Sequence, residues 1–179
     1  LAFFPYFYYL FTIKTLMNIT ESLLRKITNQ QELDRLLAYW RFQQQKIVFT
    51  NGCFDIIHRG HIDYLAKAAD LGHVLVIGLN TDASVNRLKG PTRPINDEYA
   101  RAMVLAAMSF VSAVVLFDED TPYELIRKVQ PDILVKGADY KPEDIVGYDI
   151  VTAKGGQVVT LEYLPGYSTS MIEKRIRAF

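Results

Sequence analysis

The sequence predicts an α/β fold built on a doubly wound, five-stranded parallel sheet. Apolar runs that match buried strands alternate with amphipathic segments that match helices, and the connections between them are short. The apolar runs are continuous, which is typical of parallel strands covered by helices on both faces. The chain has 179 residues, enough for one domain with a sizeable core, so we expect a single domain over residues 17–179.

The first predicted elements are a helix and a strand. Asn29 lies three residues before Glu32, a capping-box spacing that favours a helix start. The predicted apolar face of this helix consists of Leu33, Leu36, Leu37 and Trp40. A buried strand over 46–50 then leads into a turn and a helix that begins around Arg59.

The alternation of strands and helices continues to the C-terminus. A short helix is predicted toward Leu88, a loop over 89–94, and a helix capped by Asn96. The later helices are predicted from Pro122 to Val129, over 145–154, and from the Ser168-Thr169-Ser170 cluster onward. The remaining strands are predicted over 73–79, 113–117, 132–135 and 158–161.

Composition limits the classes of partner. The 20 basic and 20 acidic residues cancel, so no global field attracts nucleic acid or an acidic membrane, and we expect neither as a partner. The single cysteine, Cys53, cannot form an intramolecular disulfide, which favours a reduced, cytoplasmic protein. An anionic ligand would therefore have to be bound by a local cluster of side chains.

The first 16 residues differ from the rest of the chain. Residues 1–13 form an apolar run with seven aromatics, which is shorter than the roughly 18 to 20 residues that cross a bilayer. The run also lacks the basic segment and the cleavage site of a secretory signal. We expect a hydrophobic extension without a part in function; the alternative is an arm that packs on a partner subunit. A homodimer or a higher homo-oligomer is left open.

Two histidines lie where the first predicted strand passes into a helix. His58 and His61 are three positions apart, on one side of the first helical turn, and Gly60 between them leaves the backbone accessible. With free backbone N–H groups they would form a socket for phosphate oxygens. The spacing also fits a capping imidazole beside an exposed one, or less well a zinc site, because a third ligand is missing.

The surrounding motif resembles that of a known superfamily. The run Asn51-Gly52-Cys53-Phe54-Asp55, followed by His58-Arg59-Gly60-His61, resembles the G-x-F-D-x-x-H-x-G-H signature of the nucleotidylyltransferases, in their cytidylyltransferase-like branch. Tyr167-Ser168-Thr169-Ser170, with Arg175, is similar to that superfamily's I-S-T-S helix start. The resemblance implies a Rossmann-like nucleotidyltransferase fold.

Further runs narrow the resemblance to one group. Residues 80–94, Arg101 and residues 134–140 are similar to the adenylyltransferase domain of the bacterial ADP-heptose synthesis enzymes, over about residues 28–177. In many members this domain is fused behind a sugar kinase. No kinase domain fits in the 179 residues here, so we expect the stand-alone form, with a separate kinase upstream. The resemblance implies an adenylyltransferase that uses ATP and D-glycero-β-D-manno-heptose 1-phosphate.

The resemblance also implies roles for individual residues. His58, His61 and Lys89 are expected to be catalytic, as donors and positive charge at the phosphates rather than as proton shuttles. The expected nucleotide and phosphate ligands are Thr50, Asn51, Gly52, Cys53, Phe54, Gly60, Ser168, Thr169 and Ser170. The expected acceptor ligands are Asp55, Arg93, Arg101, Lys136 and Asp139. No protein-bound metal is expected; Mg²⁺ would be carried by ATP.

Plainer roles remain open for many of these residues. Lys89 and Arg93 fit a solvated loop, and Arg101 fits a surface salt bridge. Asp55 fits a turn aspartate that caps backbone amides, and Cys53 fits a small buried hydrophobe. The Ser-Thr-Ser run alone could be an N-cap.

Rival functions also remain open at this stage. The nearest one is a cytidylyltransferase acting on glycerol 3-phosphate or a similar polyol or sugar phosphate, which the histidine motif cannot separate from the heptose enzyme. A nucleotide-binding module without turnover is the alternative from another class. A tRNA synthetase fragment is disfavoured because a K-M-S-K-S-like loop and a basic surface are both missing.

Overall fold

The computed structural model of the chain describes residues 18–138 and 141–179. Within these residues the strands are β1 Ile27–Thr28, β2 Ile47–Gly52, β3 Val74–Asn80, β4 Ala113–Phe117, β5 Ile133–Gly137 and β6 Gln157–Leu161. All of them pair in parallel in one sheet, in the order β1-β4-β3-β2-β5-β6. The predicted parallel α/β fold is thus confirmed.

Helices connect the strands along the whole described chain. They are α1 Ile19–Leu24, α2 Gln30–Phe42, α3 Arg59–Ala69, α4 Asp82–Lys89, α5 Glu98–Ala106, α6 Tyr123–Val129, α7 Tyr148–Ala153 and α8 Thr169–Ile176. The capping box predicted for α2 is present, since Asn29 Oδ1 accepts the Glu32 N–H and the Glu32 carboxylate accepts the Asn29 N–H.

Helices cover both faces of the sheet. Phe49 packs in a cluster with Trp40 of α2, whereas the preceding strand residue, Val48, packs on the other face with Leu65 of α3 and Leu105 of α5. Successive strand residues point to opposite faces, so a strand buried on both sides must be apolar at every position. This requirement explains why the strands were recognisable as continuous apolar runs.

The order of the strands determines where a crevice forms. The chain runs from β2 outward to β3 and β4, and then returns to place β5 on the other side of β2. The connections that follow β2 and β5 therefore leave the sheet in opposite directions, which opens a crevice at the carboxyl ends of these two strands. Gly52 and Gly137, the last residues of β2 and β5, lie at this crevice.

Three predicted details were wrong. The sheet has six strands rather than five, because the two-residue β1 pairs with Val114 and Val115 at the edge of the sheet. Helix α5 is capped by Asp97 instead of Asn96, whose amide binds the Asp55 carbonyl. The helix predicted over 145–154 is shorter: a 3-10 turn at Pro142–Asp144 and a left-handed Gly147 precede α7.

The hydrophobic N-terminal extension, residues 1–16, lies outside the described residues, so the domain boundary at residue 17 stays a prediction. In the part of the chain that is described, none of the helices combines the length and the apolar character needed to cross a bilayer. The only cysteine in the sequence, Cys53, is a partly buried free thiol.

Candidate active site

A cavity of about 320 Å³ occupies the crevice at the carboxyl ends of β2 and β5. Many predicted site residues line it, namely Asn51, Gly52, Cys53, Phe54, Asp55, His61, Lys89, Lys136 and Thr169. They come from five separate segments of the chain. The fold thus brings together residues that the sequence places far apart.

A larger cavity, of about 560 Å³, lies at the amino-terminal ends of β2, β5 and β6. Its lining includes Arg41, Lys46, Asp132 and Lys154. Two of its cations already have protein partners: Arg41 donates to the Val129 carbonyl at 2.8 Å, and Lys154 Nζ lies 3.1 Å from Asp132 Oδ1. The histidines and the crevice between β2 and β5 lie at the carboxyl ends of the strands, so the smaller cavity is the better candidate for the active site.

The two histidines stack on each other at the start of α3. His58 is the N-cap residue, with an extended backbone, and His61 lies in the first turn of the helix. Their ring centroids are 3.9 Å apart with an interplanar angle of 20°, and the Phe54 ring meets His61 edge-on at 5.5 Å. His58 Nδ1 and Asn51 Oδ1 are buried without a hydrogen-bond partner among the described residues. Asn51 lines the cavity, so its Oδ1 is available to accept a hydrogen bond from a ligand there, whereas His58 is stacked on His61 and is not part of the lining.

Gly60 allows this arrangement. A Cβ atom at this position would lie 3.1 Å from the His58 ring and 3.3 Å from Tyr167 Cβ. Such distances are closer than ordinary van der Waals contact, so a side chain would push the ring or the Tyr167 segment away. The absence of a side chain at Gly60 lets His58 and the segment before α8 come close together.

Burial favours the neutral form of both imidazoles. It lowers the pKa of His58, and it lowers the pKa of His61 to about 4, with further lowering from the charges of His58 and Lys89 and an opposing effect of the Ile56 carbonyl. A neutral imidazole carries one N–H donor and one acceptor nitrogen. An anion bound beside the rings would raise both pKa values, because negative charge stabilises the protonated form.

The first turn of α8 borders the same cavity. Thr169, the first residue of α8, lines it, and Ser168 caps the helix by accepting the Met171 N–H at 3.2 Å. Ser170 is exposed to solvent. Unpaired N–H groups at a helix start favour phosphate oxygens. Lys89, the last residue of α4, contributes a positive charge to the same cavity.

Arg101 has internal partners rather than a place in the cavity lining. Its side chain is 0% exposed. It donates to the Asn96 carbonyl at 3.0 Å, the Cys53 carbonyl at 2.7 Å and the Asp82 carboxylate at 2.7 Å. All three guanidinium nitrogens are thus engaged, which favours a structural role over the predicted contact with the acceptor.

Asp55 forms hydrogen bonds to the loop that carries Arg93, Ile95 and Asn96. Its carboxylate accepts the backbone N–H groups of Ile95 and Asn96, each at 2.9 Å, and the Arg93 guanidinium at 2.7 Å. Of the other predicted acceptor ligands, Lys136 lines the cavity, whereas Asp139 lies outside the described residues.

Two tyrosines line the cavity that the sequence did not single out. Tyr64 lies one helical turn after His61, and its hydroxyl is 2.8 Å from Thr50 Oγ1, so the predicted ligand Thr50 is buried beneath the site. Tyr163 lies over Gly137, where an added Cβ would come within 1.9 Å of its hydroxyl. The spacing of Tyr64 from His61 could have indicated the first of these; no local pattern indicates Tyr163.

The described residues include no group of three or more His, Cys, Asp and Glu side chains placed to hold a metal ion. Magnesium prefers oxygen ligands, keeps several waters, and commonly reaches proteins on the phosphates of a nucleotide. In this cavity the groups that suit phosphate oxygens are His61, Lys89 and the first turn of α8.

Comparisons with known proteins agree with this geometry. The profile of the cytidylyltransferase-like family matches residues 49–175. The bifunctional protein HldE of Azorhizobium caulinodans is 50% identical over 151 residues, and that of Campylobacter curvus is 54% identical over 152. These matches cover 84% and 85% of this chain, but the chain spans only 32% and 31% of the length of these two relatives.

Among solved structures, a similar one shares both sequence and shape with this chain. The lipopolysaccharide core biosynthesis protein from Thermoplasma volcanium superposes with a TM-score of 0.53 at 28% identity. The match covers 67% of this chain and 97% of that protein. The likeness therefore extends over nearly the whole of that protein.

Proposed function

The chain belongs to the cytidylyltransferase-like family of nucleotidyltransferases, and we propose that it transfers AMP from ATP to D-glycero-β-D-manno-heptose 1-phosphate. The products would be ADP-heptose, for lipopolysaccharide core synthesis, and pyrophosphate. The observation that supports the nucleotidyl-transfer part is that His61, Lys89 and Thr169 line one cavity, with His58 stacked on His61. The heptose acceptor is supported by the 50–54% identity to the HldE proteins.

The reaction needs positioning and charge stabilisation more than proton transfer. A phosphate oxygen of the sugar 1-phosphate attacks the α-phosphorus of ATP, and a new P–O bond forms. The bond from the α-phosphorus to the oxygen that bridges to the β-phosphorus breaks, and its electron pair leaves with pyrophosphate. A phosphate monoester is already an anionic nucleophile at neutral pH, so a general base is dispensable.

In this proposal the protein holds the triphosphate from two sides. His58 and His61 donate N–H groups to oxygens of the α- and β-phosphates, and Lys89 neutralises the charge that develops on the leaving group. Ser168, Thr169, Ser170 and the first N–H groups of α8 hold the β- and γ-phosphates. Mg²⁺, carried by ATP and bound by phosphate oxygens and water, would supply further charge neutralisation.

The nearest rival is a cytidylyltransferase acting on glycerol 3-phosphate or a similar polyol phosphate. The family description allows it, and the phosphate-binding groups would serve CTP as well as ATP. Pyrophosphate release measured with ATP and with CTP, against each sugar and polyol phosphate, separates the two. A strong preference for CTP would overturn the heptose proposal. ATP binding without turnover on any acceptor would instead indicate an inactive nucleotide-binding module.

A further inference from the structure

Arg93 joins two carboxylates that belong to different parts of the site. Its Nη1 lies 2.7 Å from Asp55 Oδ2, and its Nη2 forms an ion pair with Glu173 Oε1. Asp55 lies in the segment between β2 and the histidines, whereas Glu173 lies on α8, one turn after Thr169. A single guanidinium therefore links the histidine segment to the helix whose first turn borders the same cavity.

The loop that carries Arg93 also forms backbone and side-chain hydrogen bonds to Asp55. The Ile95 and Asn96 N–H groups donate to the Asp55 carboxylate at 2.9 Å, and Asn96 Nδ2 donates to the Asp55 carbonyl at 2.6 Å. This loop follows Lys89 at the end of α4. The ion pairs thus connect the three segments that provide His61, Lys89 and Thr169.

Both terminal nitrogens of the Arg93 guanidinium have carboxylate partners, Asp55 at Nη1 and Glu173 at Nη2. Its side chain is 15% exposed, and the side chains of its partners Asp55 and Glu173 are 2% and 30% exposed. The cavity lining includes Asp55 but neither Arg93 nor Glu173. This placement favours a supporting role for both residues over direct contact with a sugar phosphate.

We infer that Glu173, acting through Arg93, is a positioning residue that keeps the start of α8 at the distance from the histidines that one triphosphate requires. The inference rests on the proposed function in one respect, that the ligand is a nucleoside triphosphate. Two groups of donors that must bind one ligand gain affinity when their separation is set before binding. Glu173 provides this preorganisation without touching the ligand.

A second contact joins the same two segments on the outer side of the site. Arg59 Nη1 donates to the Tyr167 hydroxyl at 3.1 Å, and the guanidinium lies 5.4 Å from the centre of the Tyr167 ring. Arg59 begins α3, and Tyr167 immediately precedes the cap of α8. Since this contact remains when Glu173 is changed, loss of the Glu173 carboxylate should loosen α8 without detaching it.

The test is the affinity of the full chain for a non-hydrolysable ATP analogue with Mg²⁺, measured by calorimetry. We expect Glu173→Gln to raise the Kd about tenfold, because the distance between the histidines and the first turn of α8 is no longer set before the analogue binds. Glu173→Asp, which keeps the charge, should recover most of the affinity. A Kd for Glu173→Gln within about threefold of wild type would overturn the inference, as would an equally weak Glu173→Asp.

A matched control and a double mutant separate positioning from stability. Glu124→Gln removes the carboxylate of a surface ion pair with Arg127, away from the cavity, and should leave the Kd unchanged. In a Thr169→Val background, Glu173→Gln should raise the Kd less than threefold. The phosphate-binding first turn of α8, which Glu173 positions, is already weakened in that background. An undiminished effect in that background, or an equal effect of Glu124→Gln, would contradict positioning.

The proposed function can fail separately from this inference. The binding measurement contains no sugar phosphate, so a wild-type chain that binds the analogue but makes no ADP-heptose would overturn the acceptor assignment alone. A wild-type chain that does not bind the analogue would overturn both. A Glu173→Gln variant that raises only the KM for the acceptor, with an unchanged Kd, would assign Arg93 and Glu173 to the acceptor site instead.

Discussion

The imidazole rings of His58 and His61 are stacked 3.9 Å apart, nearly parallel to each other. Two protonated rings at this distance would repel strongly, and burial adds to the cost of charging either one. The pair is therefore neutral in the free protein and becomes easier to protonate only when an anion arrives. The low pKa of His61 underlies the predictions for His61 and Lys89 below.

Replacement of His58 should impair catalysis more than folding. We expect His58→Ala to lower turnover at saturating substrates by roughly 10²- to 10³-fold, because one preorganised donor to the transferred phosphate is lost. Steady-state kinetics with ATP measures this directly. His73→Gln is the matched control: His73 Nδ1 accepts the Lys46 N–H at 2.8 Å, away from the cavity. Near-normal turnover of His58→Ala would refute the assignment.

His61 should make the protein less stable in acid. Its pKa is about 4 in the folded chain against an ordinary value of 6.5, so between these pH values the unfolded chain binds more protons. The free energy of unfolding should consequently fall as the pH is lowered from about 6.5 to about 4. Denaturant titrations across this range should show a smaller loss for His61→Gln than for wild type. Parallel losses would contradict the prediction.

Lys89 should affect both catalysis and the titration of His61. Its charge lowers the pKa of His61, so Lys89→Met should raise that pKa, as measured by NMR titration of the ring. The same change should reduce turnover by about 10²-fold, because charge on the leaving pyrophosphate is no longer neutralised. Lys67→Met, which removes a surface partner of Asp63, should do neither. An unchanged His61 titration in Lys89→Met would place Lys89 too far from the rings.

Arg101 should be important for stability. Arg101→Met leaves Asp82, the Cys53 carbonyl and the Asn96 carbonyl without their shared donor. We expect a loss of about 3 kcal/mol or more in the free energy of unfolding, since the guanidinium is fully buried. Arg127→Met, which removes an exposed ion pair, should cost no more than about 1 kcal/mol. Equal stabilities of the two variants in denaturant titrations would disprove the structural role.

The sheet was largely predictable, because parallel strands buried on both faces must be apolar at every position. The prediction over 113–117 coincides with β4. Strand β1 has two residues and leaves no comparable run. Asn96 and Asp97 are adjacent cap residues, and the choice between them depends on a tertiary contact, since Asn96 Nδ2 donates to the Asp55 carbonyl.

The site was predictable only where its residues are close together in sequence. The spacing of His58 and His61 indicated a shared face, and the motif around them suggested phosphate binding. The internal ion pairs of Arg93 and Arg101 depend on which loops the fold places side by side, and no local pattern records this. Tyr163 was missed for the same reason, because its position over Gly137 follows from the pairing of β5 with β6.

The most direct test of the proposed function is the identity of the product formed from ATP, Mg²⁺ and D-glycero-β-D-manno-heptose 1-phosphate. Mass spectrometry should detect ADP-heptose together with an equal amount of pyrophosphate, and His58→Ala should abolish most of both. CTP in place of ATP should give little product. Formation of a CDP-linked product with glycerol 3-phosphate, and none from ATP with the heptose phosphate, would contradict the proposal.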